Sequence, residues 1–162
     1  MTTNSQNINE FNENWNFQKN YYSQVKRIIE DNALVFIKID VADEESDLKR
    51  ATDFVVRITG GDVAVRLRRS DVRYRDLTIR SFNKGYRTEL DKIRDGFGKF
   101  YLYGWTNLNN IINEWVLIDL DKMRELKLFD GKQEIINTDG ITRFIAIPIY
   151  EIDKTGCIVA RN

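Results

Sequence analysis

The sequence predicts an α+β fold, and three observations carry that expectation. From about Phe17 to Asp31 the pattern is helical, with Tyr21, Val25, Ile28, Ile29 and the following Asn32 near one face. Residues 52–81 (TDFVVRITGGDVAVRLRRSDVRYRDLTIRS) read as three consecutive strands, the middle one alternating with the two-residue period of a half-buried strand. Thr88-Glu89-Leu90-Asp91 then has the form of a capping box, which opens another helix. With 162 residues, 42% of them hydrophobic and 12% aromatic, the chain has the material for one domain with a proper core.

The elements follow in order. Residues 1–16 hold six asparagines, two glutamates and no lysine or arginine, and read as a mobile tail ahead of a single domain over 17–162. After the first helix, Ala33–Val41 is strongly apolar and reads as a short strand or an extended approach. Residues 43–47 form a polar turn in which Ser46 or Asp47 caps a short helical segment through Arg50. Strand one is expected over Asp53–Ile58, a hairpin turn at Gly60-Gly61, strand two over Val63–Arg69 and strand three over Arg75–Arg80. Alternation in strand two sets Val63, Val65 and Leu67 on one face and Ala64, Arg66 and Arg68 on the other. A two-residue turn would place Val55 opposite Arg66 and Asp53 opposite Arg68.

The helix opened at Thr88 is expected to run to about Asp95 and stop at Gly96, burying Leu90, Ile93 and Phe97. Lys99–Trp105 and Trp115–Leu120 read as strands and Asp121–Leu128 as a short helix. Phe144–Ile152 reads as a final strand, placed at a sheet edge by Pro148. Gly131, Gly140 and the Asn137-Thr138-Asp139 run before the second read as turn chemistry.

Charge is balanced overall but not locally. The formal net charge is zero, yet between Val63 and Thr88 the cations Arg66, Arg68, Arg69, Arg73, Arg75, Arg80, Lys84 and Arg87 face only Asp71 and Asp76. Such a stripe is either a solvated sheet face or a binding surface for phosphates or an acidic partner. The chain has no histidine, which excludes Ser-His-Asp and Cys-His catalysis and His-ligated zinc. Chemistry here must use carboxylates, lysine or a hard metal ion. Cys157 is the single cysteine, so no internal disulfide exists, and it reads as a packed small residue. No apolar run approaches the roughly 20 residues of a membrane span, and the start lacks a basic-then-apolar leader, so the expected compartment is the cytoplasm.

The order helix, three-strand meander, helix, strand across residues 17–105 resembles the αβββαβ core of the PD-(D/E)XK nuclease superfamily, the restriction-endonuclease-like fold, here with C-terminal strand and helix additions. Thr52-Asp53-Phe54-Val55-Val56 resembles that family's first motif, in which an acid begins a strand after the first helix. Glu30 corresponds to a helix glutamate found in many members. The resemblance implies a nucleic-acid-processing protein, a metal-dependent DNA phosphodiesterase using Mg²⁺ or Mn²⁺. It also makes a homodimer an expectation.

Strand two departs from the motif: Arg66-Leu67-Arg68 stands where the family has an acid, any residue and a lysine. Arg68 then substitutes for the lysine, and the second acid comes from Glu89, as in relatives whose motif has migrated onto this helix. Glu89 lies about 40° around the axis from Ile93, at roughly 100° per residue, and Lys92 is one turn on. On this reading Asp53 and Glu89 hold the metal and Lys92 and Arg68 complete the catalytic set, while Arg66, Arg69, Arg73, Arg75 and Arg80 bind nucleic acid.

Each residue also has a plain alternative. Asp53 pairs with Arg68 or caps a turn, Glu89 complements a helix dipole, Glu89 and Lys92 form an ordinary i,i+3 pair, and Arg80 partners Asp76 or Glu89. Phe100, Tyr101, Tyr103 and Trp105 either stack on bases or fill the core. The competing function is a catalytically inactive nuclease-like module, of phage or mobile-element type, that binds nucleic acid or an acidic protein.

Overall fold

The computed structural model describes residues 17, 19–32, 36–41, 54–59, 61–69 and 72–162. Helix α1 (Tyr22–Asp31) is followed by strands β1 (Phe36–Val41), β2 (Phe54–Thr59), β3 (Val63–Arg68) and β4 (Asp76–Phe82). Helix α2 (Glu89–Arg94), strands β5 (Phe100–Thr106) and β6 (Ile112–Asp119), and helix α3 (Leu120–Glu125) come next. The chain closes with β7 (Glu134–Ile136), β8 (Arg143–Pro148), helix α4 (Ile149–Lys154) and β9 (Ile158–Arg161). The fold is mixed α+β, and no helix among the described residues is long and apolar enough to cross a membrane.

Among the described residues the strands form three sheets, ordered β1-β2, β3-β5-β6-β9 and β4-β8-β7. In the four-stranded sheet β3 runs parallel to β5, and the other pairs are antiparallel. Its two faces are covered differently. Leu67, Phe100, Leu102, Trp115 and Leu117 pack under α1 through Tyr21, with Val25, Ile28 and Ile29 against them. Tyr101, Tyr103, Trp105, Val116 and Ile118 face Leu77, Ile79, Ile145 and Ile147 of the three-stranded sheet. Covered on both faces, β5 buries all seven of its residues, which is why it reads as a continuous aromatic run rather than an alternating strand.

The expected three-strand meander is not formed. β2 makes its ladder with β1, so Val55 opposes Asp40, while Arg66 on β3 opposes Tyr103 on β5. Asp53, with the pairing proposed for it, lies outside the described residues, as do the tail at 1–16, the polar turn at 43–47 and Gly60. Strand two keeps its expected faces, because alternation belongs to the strand whatever its partner: Val63, Val65 and Leu67 pack toward α1 and Ala64 toward the other core.

Downstream, the strand expected to reach Ile152 stops at Pro148, which precedes α4. Pro148 does not mark an edge, since β8 is the central strand of its sheet; it sits at the strand's end, where a missing N–H is tolerated. The turn segment between Gly131 and Gly140 contains the short strand β7. Cys157 is fully buried, as expected for a packed small residue.

The second helix forms as its sequence requires. Thr88 Oγ1 accepts from the Asp91 N–H at 3.2 Å and the Asp91 carboxylate accepts from the Thr88 N–H at 2.9 Å, a reciprocal capping box. At the other end Gly96, at φ +89°, donates to Ile93 O, and Phe97 donates to Lys92 O, each at 3.0 Å. These two bonds are those of a Schellman motif with glycine in the left-handed position. Leu90 and Ile93 are buried as expected, but Phe97 is 60% exposed, because the motif swings it past the helix end and out of the apolar stripe.

Candidate functional site

The arginine face of β3 lies at the open rim between the two larger sheets. β3 and β4 are edge strands of their respective sheets, and the β3 side chains reach across to β4. Arg66 Nη1 donates to Thr78 O at 2.9 Å, and Arg68 Nη1 donates to Thr78 Oγ1 at 3.2 Å. Thr78 Oγ1 and the Tyr103 hydroxyl share a hydrogen bond of 2.8 Å. A β4 threonine thereby links two β3 arginines to the β5 aromatic core.

Glu89 closes the network from the first turn of α2. Its Oε1 accepts from the Tyr101 hydroxyl; its Oε2 accepts from the Arg80 N–H at 3.2 Å and lies 3.2 Å from Arg66 Nη2. Burial, more than any other influence, drives the Tyr101 phenol well above its usual pKa, so it remains a donor to Glu89. For Arg66, burial is the largest influence and opposes the charge, but electrostatic interaction with its neighbours Tyr101, Glu89 and Tyr103 outweighs it and raises the pKa above the usual arginine value. The alternative reading of Glu89 and Arg80 as mutual partners is met through the Arg80 backbone rather than its side chain.

Two clefts open on either side of this network and share Arg66 and Arg80. One, of about 420 Å³, is lined by Arg66, Arg68, Arg80 and Arg143 together with Thr78 and Asn137, with no acid among the described residues of its wall. The other, of about 440 Å³, is lined by Arg66, Arg80, Arg87 and Lys92, and Glu89 is the one acid among its described residues. The Arg80 side chain is exposed, and its charge contributes, after the hydrogen bonds from Thr142 and Ile141, to holding the Asp139 carboxyl below its usual range.

Of the predicted site residues, Arg66, Arg68, Arg80, Glu89 and Lys92 converge on these clefts. The other arginines expected to bind nucleic acid, Arg69, Arg73 and Arg75, do not. Arg75 is bound to Glu114 at 2.6 Å and lies over the Trp105 ring, Arg69 lies over the Phe17 ring, and Arg73 is exposed outside both clefts. Base stacking by the β5 aromatics is overturned: Phe100, Tyr101, Tyr103 and Trp105 are at most 2% exposed and belong to the cores. Sequence reasoning missed Arg143 and Thr78, whose roles depend on contacts between strands distant in the chain, and it passed over Arg87 as one more member of the stripe.

The residues around Glu89 do not fit a cation as they stand. Each carboxylate oxygen already accepts from a protein donor, and the Arg66 guanidinium lies where a metal would approach Oε2. Among the described residues no three Asp, Glu, Cys or His side chains gather into a metal-binding group. Comparison with known proteins finds no matching family model, no matching curated protein and no matching solved structure.

Proposed function

We propose that this chain is a nucleic-acid-binding module that holds backbone phosphates in the two clefts meeting at Arg66 and Arg80. The observation that carries this reading is the cleft of Arg66, Arg68, Arg80 and Arg143, free of acids among its described residues. Guanidinium groups are the side chains best matched to phosphate oxygens, and a site with four of them and no carboxylate favours a polyanion over an acidic side chain. Thr78 and Glu89 hold Arg66 by its two terminal nitrogens, so part of the ordering cost is met before a ligand arrives.

Fluorescence anisotropy with a labelled oligonucleotide across a salt series tests the reading. The expected result is a log–log slope of about −0.7 to −0.9 per phosphate contacted, with affinity reduced uniformly across sequences in Arg80→Ala. Salt-independent binding, or none, defeats it.

A metal-dependent DNA phosphodiesterase of the PD-(D/E)XK kind is the second reading. It is favoured by Glu89 and Lys92 lining one cleft with two phosphate-binding arginines. It requires Glu89 to release Arg66 and Asp53 to supply the other acid. Incubation with plasmid or branched DNA, with Mg²⁺ or Mn²⁺ against EDTA, separates the two readings. Cleavage that is lost in Asp53→Ala selects the enzyme, and binding without cleavage selects the module.

A further inference from the structure

We infer that the cleft bearing Glu89 takes a nucleotide whose base is unpaired, with that base stacked on the Phe97 ring. The inference rests on the phosphate-binding reading above and names its substrate class: single-stranded, gapped or frayed nucleic acid rather than continuous duplex.

Phe97 is a large apolar side chain left 60% exposed, yet it is not loosely held. Its N–H closes the Schellman motif on Lys92 O at 3.0 Å. The glycines on either side, at φ +89° and φ +72°, turn the chain sharply before and after it. The Arg87 guanidinium sits over one face of the ring, 5.1 Å from its centroid, and is itself tied to Asp95, so a base would use the opposite face. A single exposed phenylalanine needs no explanation on a protein surface. This one lines a cleft whose other walls carry Arg66, Arg80, Arg87 and Lys92. An exposed ring backed by a guanidinium on one face, in a cleft of further cations, is an arrangement that holds single strands, with phosphates on the cations and a base on the ring's other face. Inside a duplex each base face is covered by its neighbours, so only an unpaired or terminal base can use the ring.

The test compares a 2-aminopurine single-stranded oligonucleotide with its duplex, measuring affinity by anisotropy and stacking by quenching of the 2-aminopurine. The wild type is expected to bind the single strand more tightly and to quench it. Phe97→Ala and Phe97→Leu should each weaken single-strand binding on the order of tenfold and abolish quenching, with duplex affinity unchanged and Phe97→Trp retaining both signals. Phe97→Leu keeps an apolar side chain without a π-face, so it separates stacking from packing. Unchanged single-strand binding in both variants, or an equal loss on duplex, overturns the inference. Arg80→Ala distinguishes the two failures. If it weakens both ligands while Phe97 is silent, stacking alone is wrong; if neither ligand binds the wild type, the phosphate reading falls as well.

Discussion

Arg66 on β3 and Glu89 on α2 meet at 3.2 Å, joining an edge strand to a helix 23 positions further along the chain at the rim between two sheets. Their side chains are 29% and 27% exposed, so solvent screens the pair only in part. Removing either partner leaves the other half-buried with an unmet charge. Arg66→Met and Glu89→Gln are each expected to cost about 1–3 kcal/mol. The double variant should recover part of that cost, giving a coupling of about 0.5–2 kcal/mol in a urea-denaturation cycle. Strict additivity of the two substitutions would show that the pair is incidental.

Arg75 and Arg80 are both exposed arginines associated with β4, one just before it and one within it, but their surroundings separate them. Arg75→Ala loses the bond to Glu114 and the contact with Trp105, so a destabilisation of about 0.5–1.5 kcal/mol is expected, with nucleic-acid affinity unchanged. Arg80→Ala should leave the unfolding free energy within about 0.5 kcal/mol of wild type and lower the salt slope of binding by about one. Thermal melts and anisotropy on the same samples decide this. The opposite assignment of effects would move the binding face away from the clefts.

Tyr101 sets an alkaline limit on stability. Its folded pKa is raised, so its contribution is fully present below the ordinary phenol value of about 10 and is lost as pH rises toward the folded value. Unfolding free energy should therefore decline above about pH 10 in the wild type. Tyr101→Phe leaves Glu89 Oε1 without that donor, costing about 1–2 kcal/mol at neutral pH, and should flatten the alkaline decline. Denaturation curves from neutral to strongly alkaline pH measure both effects.

The cap of α2 sets a corresponding acid limit. Hydrogen bonds from Thr88, first from its side chain and then from its backbone, hold the Asp91 carboxyl below its usual range. Its contribution is present above the ordinary carboxylate pKa and is lost as pH falls through the lowered folded value. Thr88→Ala should cost about 1 kcal/mol at neutral pH and reduce the loss seen on acidification below about pH 4. Gly96→Ala forces a side chain into the left-handed region and should cost about 1–2 kcal/mol. Wild-type stability in both variants would remove the capping account.

Much of the local architecture is legible in the order of residues. The box at Thr88, the stop at Gly96 and the two faces of β3 all follow from short-range patterns, and all are present. Sheet pairing is not legible in the same way. The alternation of Val63–Arg68 is identical whether its neighbour is β2 or β5, and adjacency in the chain favours the wrong partner. Pro148 correctly signals a missing donor, but that donor is missing at the end of a central strand. Phe97 fits the helical stripe by spacing, and the Schellman turn removes it.

The candidate site divides along the same line. Sequence alone dictates that Arg66 and Arg68 share a face, that Glu89 opens a helix beside a buried stripe and that Lys92 follows one turn on. These relations involve residues within about one helical turn or one strand, where backbone geometry leaves little choice. Tertiary packing is what brings Arg80 and Arg143 to Arg66 and Arg68, gives Arg75 to Glu114, and anchors the network on Tyr101 and Thr78. Those contacts join strands far apart in the chain, and they arise because two sheets must bury their aromatic and aliphatic faces against each other. The arginine row is left along the rim where that burial ends.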